Sequence, residues 1–253
     1  LALVMLVLGF GVIGAAAAIT LSFVASAITA RHRVVGAAAG TGPVDAEAKS
    51  EGLAAVSVAA TVLLLGQVVI ANGDVILAKA VMAPADAGTY AAAAVIGRGL
   101  YFLSWSVVHS SFPVIARAES PRERRRASLR ALAMVVATCA AGVAGLAMLG
   151  EKLAPLLLGD GYGEAAAILV PYATATALFA VANLVATLDL AAGRWRSPSA
   201  LLVGAALQSL LLVVFGATPM SMAMAQVIAM AATVVLVGAA HLCDNRSELR
   251  TLL

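Results

Sequence analysis

Long apolar blocks alternate with short polar breaks along almost the whole chain. A helix needs about 20 mostly apolar residues to cross the hydrocarbon core of a membrane. Glycine and proline mark the breaks, as at Pro84, Pro121 and Gly159. The pattern predicts seven transmembrane helices, over residues 2–30, 53–80, 88–115, 128–150, 165–191, 198–216 and 219–240.

The composition excludes a water-soluble fold. Of the 253 residues, 62% are hydrophobic and 11% charged, whereas soluble domains average about 45–50% apolar and about 25% charged residues. The mean hydropathy is +1.02. We therefore expect an all-α, polytopic transmembrane bundle. Cys139 and Cys243 form neither a disulfide framework nor a metal-ligand spacing, and no metal or cofactor is expected.

The basic residues predict the orientation of the chain. Thirteen of the 16 Lys and Arg fall in alternate loops or in the C-terminal tail: Arg31, Arg33, Lys49, Arg117, Arg122, Arg124, Arg125, Arg126, Arg130, Arg194, Arg196, Arg246 and Arg250. By the positive-inside rule, Leu1 lies outside and Leu253 in the cytoplasm of a multi-pass protein in the plasma or inner membrane. The run PRERRRASLR (121–130) is interpreted as such an anchor, with incidental attraction to anionic lipids, and not as a nucleic-acid site.

The chain begins at Leu1, already inside an apolar run that has no basic leader and no small-residue cleavage site. We therefore expect it to be a piece of a longer protein.

Two charges interrupt the apolar blocks, Asp74 in the second predicted helix and Arg98 in the third. A charge at such depth is costly in lipid, so these residues usually face a wet interior or a partner charge. Asp74 and Arg98 lie at comparable depth below the outer end of an antiparallel hairpin, so an ion pair between them is possible. The second helix also carries Gln67 on the face of Asp74, whereas Asn72 lies on a nearly opposite face.

The third predicted helix carries a stripe of Arg98, Tyr101, Trp105 and His109 on one face. Arginine could hold a phosphate while the aromatic rings pack against a sugar or a lipid. The alternative is that Arg98 pairs with Asp74 and the aromatic rings pack against neighbouring helices. The residues leave both interpretations open.

The fifth predicted helix carries a polar stripe, in which the residues are spaced four, three, four and four: Tyr172, Thr176, Phe179, Asn183 and Thr187. Such a face suits either a wet cavity or hydrogen-bonded helix packing. Asp189 is expected to be an interfacial counter-charge for Arg194 and Arg196. Enzyme signatures such as HExxH, GxSxG, a Walker lysine or a metal-binding pair of aspartates are missing, so no catalytic residue is expected.

Residues 71–100 (ANGDVILAKAVMAPADAGTYAAAAVIGRGL) resemble the seventh and eighth helices of polysaccharide-biosynthesis flippases in the MATE-like multidrug/oligosaccharidyl-lipid/polysaccharide (MOP) exporter superfamily. The motif SSFPVIARAE (110–119) is similar to the family's exit from the eighth helix. The segment LAPLLLGDGYGEAAAILVPYA (153–173) is similar to the start of its tenth helix. The matching positions in the first segment are Asn72, Asp74, Lys79, Pro84, Asp86, Gly88 and Arg98.

The resemblance covers about residues 50–240 and implies a division of the chain. Family members have two six-helix lobes, so residues 1–30 would be the last helix of an otherwise missing N-terminal lobe. Residues 31–52 would be the cytoplasmic lobe linker, 53–240 the C-terminal lobe and 241–253 a cytoplasmic tail. The implied cavity is shared by both lobes.

The resemblance also implies a function, translocation of a polyprenyl-diphosphate-linked glycan from the cytoplasmic to the outer leaflet. Arg98 would contact the diphosphate and Asp74 would be the residue to test for ion coupling. The implied partners are this lipid, the bilayer, the N-terminal lobe and polysaccharide assembly enzymes. Together with the stripes, the resemblance gives the expected cavity residues: Arg98, Asp74, Asn72, Tyr101, Trp105, Tyr172, Thr176 and Asn183.

Three alternatives stay open: a cation-coupled multidrug exporter of the same superfamily, a membrane-embedded glycosyltransferase or polymerase, and a non-transporting scaffold lobe.

Overall fold

A computed structural model describes Leu21, residues 46–118 and residues 120–251. Its elements are α1 (Ala46–Val81), α2 (Pro84–Ala116), α3 (Pro121–Leu158), α4 (Ala165–Ala191), α5 (Arg196–Phe215) and α6 (Pro219–Thr251), with a short 3₁₀ helix at Asp160–Tyr162. The described residues contain no strand. The chain divides into two compact units, residues 1–54 and 55–253. The helix bundle and its polar clusters lie within the second unit.

The prediction of an all-helical chain with several membrane-spanning helices is confirmed. All six helices are long and apolar enough to cross a membrane, as in a multi-pass membrane protein. The predicted spans from 53–80 to 219–240 each coincide with one of them. The predicted span 2–30 lies outside the described residues except for Leu21, and so does the linker up to residue 45.

Several helices extend beyond the predicted spans. Helix α1 already begins at Ala46, within the predicted linker, and α6 continues to Thr251 through the predicted tail. Helix α3 begins seven residues before the predicted span 128–150. Apolar content marks the part of a helix that suits lipid, whereas the backbone hydrogen bonds that define a helix continue into polar sequence. The hydropathy pattern therefore located the helices but not their ends.

Local signals explain the two ends of α3. The Ser120 hydroxyl accepts a hydrogen bond from the Glu123 backbone N–H at 3.2 Å, and Pro121 occupies the first turn. Both features are typical of a helix start. At the other end Gly159 has a φ of 94°, a conformation that other residues rarely adopt. The result is a helix of 38 residues, about 57 Å long at the usual rise.

Helix α4 is the centre of the bundle. More than half of its residues are buried, and it contributes to each of the three clusters of buried apolar side chains. Apolar side chains on the outer faces of other helices are exposed, for example Ile76, Val95 and Val235. Such an outer surface suits contact with lipid tails, which solvate apolar groups.

The short connections define two ends of the bundle. We call the end with the connections after Val81, Leu158 and Phe215 the Val81 end. The end with the connections after Ala116 and Ala191 is called the Arg194 end. Helices α1, α3 and α5 finish at the Val81 end, and α2, α4 and α6 begin there.

Candidate functional site

Asp74 is the centre of a polar cluster inside the bundle. Its side chain is fully buried. The Arg98 guanidinium donates through Nη2 to Oδ1 at 2.8 Å, and the Tyr172 hydroxyl donates to Oδ2 at 2.7 Å. The ion pair that the sequence made possible is therefore present. A buried carboxylate needs such donors because it has lost its hydration.

Tyr90 and Gln226 extend this cluster to α6. The Tyr90 hydroxyl donates to Gln226 Oε1 at 2.5 Å and lies 3.3 Å from Asp74 Oδ2. The hydroxyl has a single proton, so it donates mainly to Gln226, the closer of the two acceptors. The Tyr90 and Tyr172 rings meet edge to face, with centroids 5.7 Å apart. The cluster thus joins α1, α2, α4 and α6.

The cluster occupies one layer near the Val81 end. Asp74, Tyr90, Tyr172 and Gln226 each lie six or seven residues from the helix end nearest to them, or about 10 Å along the axis. Arg98 lies deeper, but side chains in a helix tilt toward its N-terminus. The guanidinium therefore reaches back toward the Val81 end and into the layer of Asp74.

Gly97 gives Tyr172 the space for this arrangement. A Cβ atom at position 97 would overlap the Tyr172 ring. The absence of a side chain on α2 allows the ring to lie against the backbone, with its hydroxyl directed at Asp74. Tyr90 and Gly97 are seven residues apart, so both face α4.

Arg98 keeps part of its hydrogen-bonding capacity. Nη2 donates to Asp74, and Nε makes a long contact of 3.4 Å with the Tyr172 hydroxyl. A guanidinium has five N–H groups, so three have no partner among the described residues. The Arg98 side chain is 27% exposed, whereas that of Asp74 is closed off. This side chain could bind an anion without releasing Asp74.

The side chains of the α2 stripe (Arg98, Tyr101, Trp105 and His109) do not all face the same surroundings. Tyr101 stacks on Phe179 of α4, with centroids 5.1 Å apart, and on Trp105 with centroids 6.5 Å apart. Trp105 itself is exposed. The side chain of His109 lies outside the described residues. Arg98 pairs with Asp74 and Tyr101 packs against a neighbouring helix, as the second interpretation of this stripe expected.

The polar stripe on α4 takes part in helix packing. Asn183 accepts a hydrogen bond from Gln67 Nε2 of α1 at 2.6 Å. Thr176 donates to the backbone oxygen of Tyr172 at 3.0 Å, and Thr187 is half-buried. Of the two interpretations left open, hydrogen-bonded packing describes Tyr172 and Asn183.

Asn72 lies apart from the cluster. Its side chain is exposed and donates to the backbone oxygen of Val68 one turn earlier, at 3.1 Å. Lys79, which shares its face, is also exposed. The sequence had already placed Asn72 nearly opposite Asp74, and the structure keeps it away from the other expected cavity residues.

A second carboxylate, Asp189, has a different environment from the one expected. It is buried within the bundle, near the end of α4. It accepts hydrogen bonds from the Ser197 hydroxyl and from Arg194 Nη1, the latter at 3.3 Å. His241 Nδ1 lies 2.9 Å from Oδ1. The prediction that Asp189 also balances Arg196 is wrong.

Arg196 forms an ion pair with Asp244 at 3.2 Å. Arg194, in the connection between α4 and α5, and Arg196, at the start of α5, therefore meet different carboxylates. The sequence spacing could not show which carboxylate each would meet.

Sequence reasoning missed Tyr90, Ser197 and His241. Tyr90 had one usable signal, its seven-residue spacing from Gly97. The others depend on which faces of distant helices meet. Among the described residues no group of three His, Cys, Asp or Glu could hold a metal ion. Comparisons with protein-family models, with curated proteins and with solved structures found no match to this chain.

Proposed function

We propose that this chain is part of a flippase that moves lipid-linked polysaccharide precursors across the membrane, with residues 53–240 as its C-terminal lobe. The observation that carries the proposal is the state of Arg98. Its side chain lies between apolar helices, is partly exposed and has three N–H groups without a partner among the described residues. A guanidinium with free N–H groups binds phosphate oxygens by forked, charge-assisted hydrogen bonds.

The partner charge explains how Arg98 can stay in the membrane without substrate. Asp74 neutralises it across 2.8 Å. Tyr172 donates to the same carboxylate and helps to hold it in place. A diphosphate can bind through the other N–H groups of Arg98 while the pair with Asp74 stays intact, so neither buried charge loses its partner.

A cation-coupled exporter is the second candidate, and the burial of Asp74 favours it. A carboxylate surrounded by tyrosine hydroxyls could take up a proton or bind a cation when Arg98 moves away. In this case the transported molecule would be an amphipathic cation. Transport of a lipid diphosphate and transport of a cationic drug therefore separate the two candidates.

The first prediction tests Arg98 in the full-length protein in cells, with export of surface polysaccharide as the measurement. We expect Arg98→Ala to reduce export at least about 100-fold, since a hydrogen bond to a charged group contributes about 1.5–3 kcal/mol and several are lost. Arg98→Lys should retain part of the activity because it keeps the charge but not the fork.

The matched control is Lys79→Ala, which removes an exposed positive charge from α1. It should leave export unchanged. Normal export by both Arg98 variants, at equal protein levels in the membrane, would contradict the flippase proposal and favour a scaffold lobe. Sugar transfer by the purified full-length protein would instead support a glycosyltransferase or polymerase.

A further inference from the structure

The first turns of α3 carry an unusual concentration of positive charge at the Arg194 end. Residues 121–130 contain five arginines and one carboxylate, Glu123. All five arginines are exposed: Arg122, Arg124, Arg125, Arg126 and Arg130. None of them forms an ion pair with a carboxylate in the part of the chain that the structure describes. We call these five residues the α3 arginine patch.

The position of the patch on its helix is electrostatically unfavourable. The N-terminus of a helix carries a partial positive charge, so cations are disfavoured there. Ser120 and Pro121 already start the helix, and the arginines are not needed for capping. The five arginines together attract an anion.

The level of the patch matches the lipid headgroups. Residues 131–150 form an apolar stretch of 20 residues that starts directly after Arg130, and 20 residues span about 30 Å of hydrocarbon. Counting back from Arg130, Arg126 lies about 6 Å outside this edge. Arg122 lies about 12 Å outside it, beyond a headgroup layer that is about 5–8 Å thick on each side.

The faces of α3 separate the arginines further. Ala131 and Val135 are buried against the bundle. Arg124 is seven residues before Ala131 and shares that inner face, at the tip of the α2–α3 hairpin. Arg126 and Arg130 are one turn apart on the outer half of the helix, beside the exposed Leu129. Two arginines about 6 Å apart along the helix axis can direct both guanidinium groups at one phosphate.

We propose that Arg126 and Arg130 form a binding site for the headgroup of an anionic phospholipid in the leaflet at the Arg194 end. Leu129 contacts the upper part of the acyl chain, and the outer arginines of the patch add long-range attraction. The site is independent of the transport proposal, because it uses none of the residues around Asp74.

The second prediction is tested by native mass spectrometry of the purified full chain in detergent, titrated separately with dioleoyl phosphatidylglycerol and dioleoyl phosphatidylcholine. We expect the unchanged protein to bind the first phosphatidylglycerol about tenfold more tightly than phosphatidylcholine. Arg126→Gln/Arg130→Gln should reduce this preference to about twofold or less. Glutamine removes the charge and retains helix propensity, so the helix content should stay the same.

The control is Arg122→Gln/Arg124→Gln, which removes the same charge from the same helix farther from the membrane. It should keep most of the preference for phosphatidylglycerol. Equal losses in the two double variants would show general electrostatic attraction and overturn the proposed site, as would no preference in the unchanged protein. Displacement of phosphatidylglycerol by a short single-stranded RNA at lower concentration would overturn it in favour of nucleic-acid binding.

Discussion

At the scale of single residues, Asp74 depends on its partners more than they depend on it. It is fully buried, whereas the Arg98 side chain is partly exposed. Removing one member of a buried ion pair leaves the other charge without a partner, while replacing both can be nearly neutral. The effects of single substitutions on the free energy of unfolding should therefore be strongly non-additive, since each donor to Asp74 offsets part of the same cost of removing the carboxylate from water.

The third prediction is a double-mutant cycle on this pair. Arg98→Ala should lower the free energy of unfolding by about 3 kcal/mol, because the Asp74 carboxylate then lacks a cation in a buried site. Asp74→Asn/Arg98→Ala should recover at least about half of this loss. The measurement is reversible unfolding in mixed detergent micelles. Additive effects in the double variant would mean that the pair contributes no coupling.

At the scale of elements, small residues set how closely the helices approach. Gly204 of α5 lies directly against Thr233 of α6, and a Cβ atom there would overlap the threonine side chain. Thr233 is fully buried and donates to the backbone oxygen of Ala229 at 2.8 Å. It therefore has little freedom to move away. Close approach at small residues is a common way to pack helices in membranes.

The fourth prediction compares two glycines in these helices. Gly204→Ala should destabilise the protein by about 1–3 kcal/mol, because the added methyl group forces α5 and α6 apart or displaces Thr233. Gly238→Ala in α6 is the matched control, since a Cβ atom there meets nothing within 4 Å. It should have no effect or a stabilising one of up to about 1 kcal/mol. Similar destabilisation by both would indicate a loss of backbone flexibility and not a steric clash.

The sequence predicted the elements well and their contacts only in part. Apolar blocks located six helices because lipid demands long runs of apolar side chains. The Asp74–Arg98 pair was accessible because the two residues lie on helices joined by a tight turn, which fixes their relative depth. The contacts of Tyr90 with Gln226 and of Asp189 with His241 join helices distant in sequence, and periodicity does not specify which faces meet. The start of α3 was missed because the arginines at 122–126 were taken to lie outside the helix, whereas the helix begins at Pro121.

At the scale of the whole molecule, two buried carboxylates tie the bundle at opposite ends. Asp74 joins α1, α2, α4 and α6 near the Val81 end. Asp189 at the end of α4 joins the α4–α5 connection, the start of α5 and the last part of α6. Tyr172 and Asp189 are 17 residues apart on α4, or about 25 Å. The central helix α4 thus takes part in one buried polar cluster near each end of the bundle. We call these two clusters the polar ties.

The fifth prediction is that these ties act locally. In hydrogen exchange measured by mass spectrometry in detergent, Asp189→Asn should speed exchange at residues 192–200 and 238–244 about tenfold, since a buried charge-assisted network there is weakened by about 1.5 kcal/mol. Residues 82–92 should be unaffected. Asp74→Asn should give the reverse pattern, and Glu151→Gln, an exposed carboxylate on α3, should change neither end.

The physical reason for a local response is the closely packed section of α4 between Tyr172 and Asp189. Residues such as Ala175, Ala182 and Leu184 are packed tightly there and hold α4 in place when one tie is loosened. If either aspartate variant increased exchange at both ends equally, α4 would be transmitting the change along its length. The two clusters would then be coupled. A substitution at Asp74 would in that case be sensed at the Arg194 end.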